Sequence, residues 1–336
     1  MSGSTRLPTF TPDVSGEYAT ARSAAVLFDR SDAGKISVTG SEAVVFLHNL
    51  CTNHIKALAA WHGCEAFFCA ATAKVIGHGY IWREADAGKQ QRLWVDLPSG
   101  LVDKMLKHLD RYLISEDVEL LDRSAELAQF HLAGPRAGEI LQAMGLQQGE
   151  SAPLSWSSHG AIVVRHIDRL GLPGCDLLCP AEQAGQLAQR LVEAGARPSC
   201  PEVYETLRVE AAMPLYGSDI DETTFAPEVG RTEAISYNKG CYLGQEPIVM
   251  ARDRGVVQRG LVTLVLGETP APMGSKVWQA EREVGRTLSS LHSPQLGRAI
   301  ALAYVRRNVL APGTRLEVAL PQGRVPAEVA RLPLGQ

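Results

Sequence analysis

The sequence predicts an α+β protein that ends in a small all-β domain, and three observations carry that expectation. At 336 residues the chain is too long for one ordinary hydrophobic core. Up to Gly255, helical and strand-like patterns are mixed. Beyond it, short alternating runs are separated by Gly and Pro, as closely spaced strands of a barrel or sandwich are. The expected division is a loose arm over 1–15, an α+β region over 16–255 and a β-barrel domain over 256–336, with the boundary near Val256.

Each element has a local reason. The arm is rich in Ser, Thr, Gly and Pro. Residues 16–29 read as a short helix that runs into the turn Ser31-Asp32-Ala33-Gly34. Ile36-Ser37-Val38 alternates as a strand does, and Gly40-Ser41 opens a helix through Leu50 with Ser41 as N-cap. Residues 67–82 read as a hairpin bent at Ala73-Lys74, with Gly77 and Gly79 loosening its second strand. Leu93-Trp94-Val95-Asp96 is a strand. Leu101, Val102, Met105, Leu106, Leu109, Tyr112 and Leu113 then share one helical face. Strands follow at 118–121 and 127–132, and a helix starts after Gly134-Pro135. Residues 162–167 and 175–179 pair around Gly171-Leu172-Pro173-Gly174, and helices cover 181–194 and 202–211. A turn-rich segment, 213–232, carries Gly217, Pro227 and Gly230. The final strands are expected at 256–266, 276–279, 283–291, 298–305 and 315–320.

Composition narrows the function classes. Apolar residues make up 45% of the chain and charged residues 21%, the proportions of a soluble globular protein. A net charge of −4 gives no general attraction to nucleic acid or an anionic membrane surface. Residues 1–10 hold no apolar run of signal-peptide length, and no segment approaches eighteen apolar residues. The cysteines are Cys51, Cys64, Cys69, Cys175, Cys179, Cys200 and Cys241, an odd count without a C-x-x-C pair. Cys175-x₃-Cys179 falls in an expected strand, where it is a poor metal site. Free thiols in a reducing cytoplasm are the expected state.

The richest stretch runs from Tyr237 to Ala251. Gly240 and Gly244 flank Cys241, and glycine allows geometry and close approach that other residues resist. Lys239 stands two positions before the thiol, where a cation favours the reactive thiolate. From the residues alone, a reactive thiol and a buried structural cysteine in a glycine-bounded turn both remain open.

Lys239-Gly240-Cys241-Tyr242-x-Gly244-Gln245-Glu246 resembles the signature of the YgfZ-type folate-binding proteins, whose mitochondrial relatives act in iron–sulfur cluster assembly. Their wider superfamily includes the T-protein, the aminomethyltransferase of the glycine cleavage system. Other segments are similar to that superfamily's patterns: Phe28-Asp29-Arg30-Ser31, Val38 to Ala43, Leu207 to Ala211, Leu215 to Asp221, and Val284 to Ser290 with Ser293-Pro294. The resemblance implies a three-domain, clover-like aminomethyltransferase folate-binding fold. Two subdomains would fall within 16–255, the β-barrel would follow, and tetrahydrofolate would sit in a central channel.

The resemblance also implies site residues. The T-protein carboxylate that binds the pterin closes a Gly-Glu-Asp-Gly-x-Glu turn, and Gly171 to Asp176 stand there, so Asp176 is the matching acid. A carboxylate accepts two hydrogen bonds from the pterin edge at once. Seven residues before that acid the T-proteins carry Tyr, and here Arg169 occupies the place. Where they carry Arg, four residues before the Arg of Leu-Arg-x-Glu, this chain has Tyr204. Arg169, Tyr204 and Lys239 join Asp176 as expected cofactor-binding residues. The T-proteins also place an Asp pair after a Gly-Gly turn, and one Asp serves aminomethyl transfer. Here the stretch is Lys74-Val75-Ile76-Gly77-His78-Gly79, without a carboxylate. His78 is a proton-exchange candidate there, or a solvent-facing or hydrogen-bonded histidine. His48, His54 and Trp61-His62 match no ligand spacing. Arg252, Arg254 and Arg259 form either a solvated basic run or a contact for the anionic folate tail. Glu210 and Asp219 are expected to fix the long loop with neighbours such as Arg208.

The reading that follows is a tetrahydrofolate-binding accessory protein for iron–sulfur cluster assembly or repair, with Cys241 as its functional thiol. Its partners would be a reduced folate and iron–sulfur client or assembly proteins. The alternatives are a folate-dependent one-carbon transferase or demethylase on the same scaffold, and a folate-binding scaffold whose Cys241 only packs.

Overall fold

A computed structural model of the chain describes residues 6–146, 152–255, 257–331 and 334. It divides into two compact units. The first comprises Met1–Phe68, Gly77–Tyr204 and Glu233–Leu243; the second comprises Cys69–Ile76, Glu205–Thr232 and Gly244–Gln336.

The first unit opens with helix α1 (Val14–Ser23), where Asp13 caps the backbone N–H of Gly16 at 3.1 Å. The chain then extends into strand β1 (Val26–Asp29). The expected helix over 16–29 therefore stops early. Val26-Leu27-Phe28 is an apolar run buried within a sheet, and sheet pairing overrides the helical reading. Strand β2 (Gly34–Gly40) leads to helix α2 (Ala43–Leu50). Ser41 does not cap that helix, because its hydroxyl donates to Asp117 at 2.6 Å. The hairpin of β3 (Gly63–Cys69) and β4 (Val75–Arg83) turns at Ala73, whose φ is 58°. Strand β5 (Gln91–Leu97), helix α3 (Val102–Asp110) and strand β6 (Glu119–Asp122) follow. Five of these strands form one sheet in the order β3-β4-β5-β2-β6.

A second sheet is built from β1 and later strands. These are β7 (Leu127–Ala133), β8 (Trp156–His159), β9 (Ile162–His166), β10 (Gly174–Pro180) and β11 (Arg197–Pro198), in the order β11-β1-β7-β10-β9-β8. Helices α4 (Ala137–Ala143) and α5 (Ala184–Glu193) cover it, and their apolar sides join Leu27, Phe130, Leu132, Val164 and Leu177 in one core. Strand β8 escapes the sequence reading because its short polar run, Trp-Ser-Ser-His, carries little alternation. Helix α6 (Pro201–Glu210) closes the segment.

The second unit contains a closed barrel of β12 (Arg259–Val265), β13 (Lys276–Gln279), β14 (Arg282–Ser293), β15 (Arg298–Arg306), β16 (Arg315–Leu320) and β17 (Gly323–Val329). Closure removes exposed strand edges, and Leu264, Val277, Ala301, Ala303, Val305 and Val318 fill its interior. Val256, the expected boundary, lies outside the described residues, as do residues 1–5 of the expected arm. Helix α7 (Gln245–Arg254) precedes the barrel and belongs to the same unit. The glycine-bounded stretch around Cys241 is non-helical, and a helix starts only at Gln245, bracketed by left-handed Gly244 and Gly255. Asp219 fixes the long loop as expected: it accepts from Arg208 at 2.7 Å and from the N–H groups of Leu215 and Ser289, each at 3.0 Å. Among the described residues no helix is long and apolar enough to cross a membrane.

Candidate functional site

Three of the four expected cofactor residues come together in the first unit. On β10, Asp176 stands opposite His131 of β7 and Arg165 of β9, so the three side chains share one sheet face. Asp176 is fully buried and is held by three partners. His131 Nδ1 lies 2.8 Å from one carboxylate oxygen. Gln129 Nε2 donates to the other at 3.1 Å, and Arg169 donates to it through Nε at 3.0 Å and a terminal nitrogen at 2.8 Å. Burial alone would raise the Asp176 pKa, but the Arg169 charge and the His131 contact hold it well below the carboxylate range. The same ion pair outweighs burial at Arg169 and keeps it firmly charged.

Local structure aims these groups. The Asp168 carboxylate accepts from the N–H groups of Leu170 and Leu172, which orders the loop that carries Arg169. At Gly174 a Cβ would meet the His131 ring at 3.2 Å, so glycine lets β10 pass close to it. Aromatic rings complete the cluster. The Arg169 guanidinium lies 4.5 Å from the Tyr80 ring centre, and Arg30 lies 4.2 Å from that of Tyr204. Tyr204 meets Phe28 edge-on at 5.2 Å and His131 at 6.1 Å. Beside them Arg165 donates to both oxygens of Asp96 and lies against Trp82.

Two buried polar atoms of this cluster have no hydrogen-bond partner among the described residues: Gln129 Oε1 and His131 Nε2. Orphaned polar atoms beside an aromatic wall and an ion pair fit a flat, polar heterocycle such as a pterin. The fit carries a condition. Since Asp176 already accepts from three side chains, it meets a ligand directly only by exchanging one of them, and Arg169, at 18% exposure, is the most accessible.

Lys239 and Cys241 occupy a different place. The Lys239 ammonium donates to the carbonyls of His48, Cys51 (2.7 Å) and Asn53 (2.7 Å), and it lies 4.5 Å from the centre of the Tyr242 ring. Burial pushes its pKa down to about 8. The expectation that Lys239 activates Cys241 needs correction. The ammonium is turned inward onto three carbonyls, and the thiols whose charge it feels are Cys51 and Cys64. Lys239 instead ties the loop to residues 48–53, helped by the Leu243 N–H, which donates to Asn49 O at 2.9 Å. Cys241 itself is exposed, whereas Cys51, Cys69, Cys175, Cys179 and Cys200 are buried and Cys64 is partly covered. Burial raises the pKa of Cys51, Cys64, Cys175, Cys179 and Cys200.

His78 is neither solvent-facing nor alone. It is buried, stacks on Phe67 at 4.7 Å, and places Nε2 2.6 Å from a Glu65 oxygen. His78, Tyr80 and Trp82 alternate along β4, so the Glu65–His78 pair shares a strand face with the ring that backs Arg169.

Sequence reading missed Gln129, His131, Tyr80, Arg30 and Glu65. One signal was present: Gln129 and His131 are polar residues with the same parity in an otherwise apolar strand, a pattern that marks an inward polar site.

Comparison with known proteins defines the class of scaffold. Residues 6–239 match the GCVT N-terminal domain, and residues 259–334 match the glycine cleavage T-protein C-terminal barrel domain. The chain belongs to this GcvT aminomethyltransferase-like family. It is 31% identical over 334 residues to an aminomethyltransferase of Rubrobacter xylanophilus, covering 95% of this chain and 86% of the relative. It is 28% identical over 337 residues to one of Thermotoga neapolitana, covering 97% and 91%. The crystal structure of glycine cleavage system aminomethyltransferase T from Bartonella henselae shares the fold, with a TM-score of 0.89 at 21% identity, covering 98% of this chain and 93% of that one. Aminomethyltransferases of the family use tetrahydrofolate, and a folate cofactor is consistent with this chain.

Proposed function

We propose that this protein binds a reduced folate and supports iron–sulfur cluster assembly or repair as a YgfZ-type accessory protein, with Cys241 as its functional thiol. The observation that carries this reading is the exposure of Cys241 on a loop that Lys239 ties down, in a chain whose other thiols are buried or, for Cys64, partly covered. A thiol presented on an ordered loop can meet a protein-bound cluster or another thiol; the covered thiols cannot. The folate belongs with the Asp176–Arg169 cluster, where Tyr80 and Tyr204 offer aromatic rings and Gln129 and His131 offer polar atoms without partners among the described residues. Lys239 acts there only indirectly, through the order of its loop.

A second reading has its own support. Relatives of near-full length are named aminomethyltransferases, and the buried Glu65–His78 pair could handle a proton. It would make the chain a folate-dependent one-carbon transferase or demethylase. Against aminomethyl transfer stands the run Ile76-Gly77-His78-Gly79, in which the T-proteins carry carboxylates.

Complementation decides between them. In cells that lack their own copy of the protein, the wild type should restore iron–sulfur enzyme activities and Cys241→Ser should not, while both bind tetrahydrofolate equally in vitro. Full rescue by Cys241→Ser would remove the thiol from the function. Methylenetetrahydrofolate formed by the purified wild type from an aminomethylated lipoyl carrier would establish the second reading.

A further inference from the structure

The barrel unit holds a cleft of about 1390 Å³ that the folate reading does not use. Its walls come from the loop 218–224 and from β12, β14 and β15, all within the second unit. Five arginines line it, Arg259, Arg282, Arg286, Arg306 and Arg307, against the carboxylates of Asp219, Asp221 and Glu283.

Strand register explains why the arginines converge. Arg259 of β12 is the direct partner of Arg306 on β15, and Arg286 of β14 is the direct partner of Tyr304. Directly opposed residues share a sheet face, and Tyr304 and Arg306 are two apart, so all four project outward from one face of the barrel. Opposed like charges destabilise a sheet, so placing Arg306 directly opposite Arg259 does not itself stabilise the fold.

Carboxylates pair with Arg259 and Arg286 but leave the other three arginines unmatched. Asp219 is held by Arg208, and Asp221 accepts from the hydroxyls of Thr223 and Thr224. Glu283 is shared between Lys276 and Arg286, and Arg259 reaches Glu228 at 2.9 Å. The side chains of Arg282, Arg306 and Arg307 make no hydrogen bond or ion pair among the described residues. At the cleft wall Tyr304 is 6% exposed, and among the described residues its hydroxyl makes no well-formed hydrogen bond, only an approach to Thr224. Thr224, its neighbour, already donates to Asp221 and accepts from the Asp221 N–H. The Arg259 guanidinium covers the Tyr304 ring at 4.7 Å.

We propose that this cleft binds a small, flexible oligoanion whose neighbouring carboxylate or phosphate groups bridge Arg259 and Arg306 and engage Arg282, Arg307 and the Tyr304 hydroxyl. The cleft exceeds the volume of an ordinary small-ligand pocket, which favours an extended ligand over a single ion. Guanidinium groups suit both kinds of anion, because each offers paired oxygens to a planar fork of donors. The site stands whether or not folate binds in the first unit.

Calorimetric titration of the full chain with γ-linked triglutamate and, separately, with inorganic tripolyphosphate tests it. Tighter binding of the first would identify a carboxylate source and of the second a phosphate source; either supports the site. In the Arg306→Gln, Arg307→Gln double variant the affinity should fall roughly tenfold or more, the scale of losing close charge contacts. Tyr304→Phe should weaken binding several-fold. Arg190→Gln, the loss of one positive charge at an exposed position of α5, should not alter it. The melting temperature of the ligand-free double variant should stay level or rise, since a like-charge contact is relieved. If neither anion binds with a Kd below about 1 mM, the proposal is overturned. Binding that survives the double variant, or a marked drop in its melting temperature, would equally overturn it.

Discussion

Buried charge is tolerated in this chain only where partners surround it, and Asp176 shows the consequence for experiment. With Gln129, His131 and Arg169 around it, removing its carboxylate leaves the buried His131 and the half-buried Arg169 cation without their shared acceptor. Asp176→Ala should therefore lose roughly 3–5 kcal/mol of stability, the usual result of breaking a buried pair. Asp176→Asn keeps an acceptor for Arg169 and should retain the fold while weakening tetrahydrofolate binding. Urea unfolding and calorimetry on both variants separate the two effects; undiminished folate affinity in Asp176→Asn would take this side chain out of the site. Cys241 poses a simpler test. Being exposed, it should be the first thiol alkylated by iodoacetamide in mass-spectrometric mapping, ahead of Cys64 and well ahead of the buried five. Labelling of any buried thiol before Cys241 would contradict this order.

Among the elements, helix α7 depends on the glycine at its start. Gly244 precedes it at φ 84°, and a Cβ there would stand 2.7 Å from the carbonyl oxygen of Ala70. Gly88 has a similar φ of 65° with open space around it. The two glycines separate strain from collision. Gly88→Ala should destabilise by about 1 kcal/mol, the left-handed penalty alone. Gly244→Ala adds a backbone clash and should cost several times more, with the loss read as a lower urea midpoint. Equal effects would mean that the backbone near Ala70 yields freely. The Glu65–His78 pair sets a second expectation across β3 and β4. His78→Asp alone would place two carboxylates in contact, which cannot both ionise. The informative variant therefore joins it with Glu65→Gln, and a gain of aminomethyl transfer there would align His78 with the transferase carboxylates.

The whole molecule should lose stability in mild acid. Burial lowers the His48 pKa from 6.5 to about 4, reinforced by Lys239, Lys56 and His54. Its Nδ1 accepts the Lys56 N–H at 3.4 Å, which a protonated ring could not do. Between those two values the unfolded chain binds a proton that the native protein refuses. The His48 contribution is thus complete above about pH 6.5 and is lost as pH falls toward 4. His108 and His166 are lowered by burial as well and act in the same direction. The urea midpoint should drop between pH 7 and pH 5, and His48→Gln should flatten the drop. An equal slope in that variant would assign the effect to other groups.

The sequence by itself determined the mixed α+β body and the closely spaced strands after Gly255, and its short motif singled out Cys241, while Asp176, Arg169 and Tyr204 became candidates through the resemblance to the T-proteins. Those features are local: alternation, helical spacing, turn residues and a short motif. Tertiary structure decided which of them meet. Helix 16–29 gave way to β1 because Val26 to Phe28 gain more between two strands than along a helix. Lys239 turned from Cys241 because three carbonyls of residues 48–53, nearly two hundred positions earlier, form the better cation site. Arg259 and Arg306 face each other only through strand pairing. Pairings of this kind depend on register between distant segments, and no local pattern encodes them.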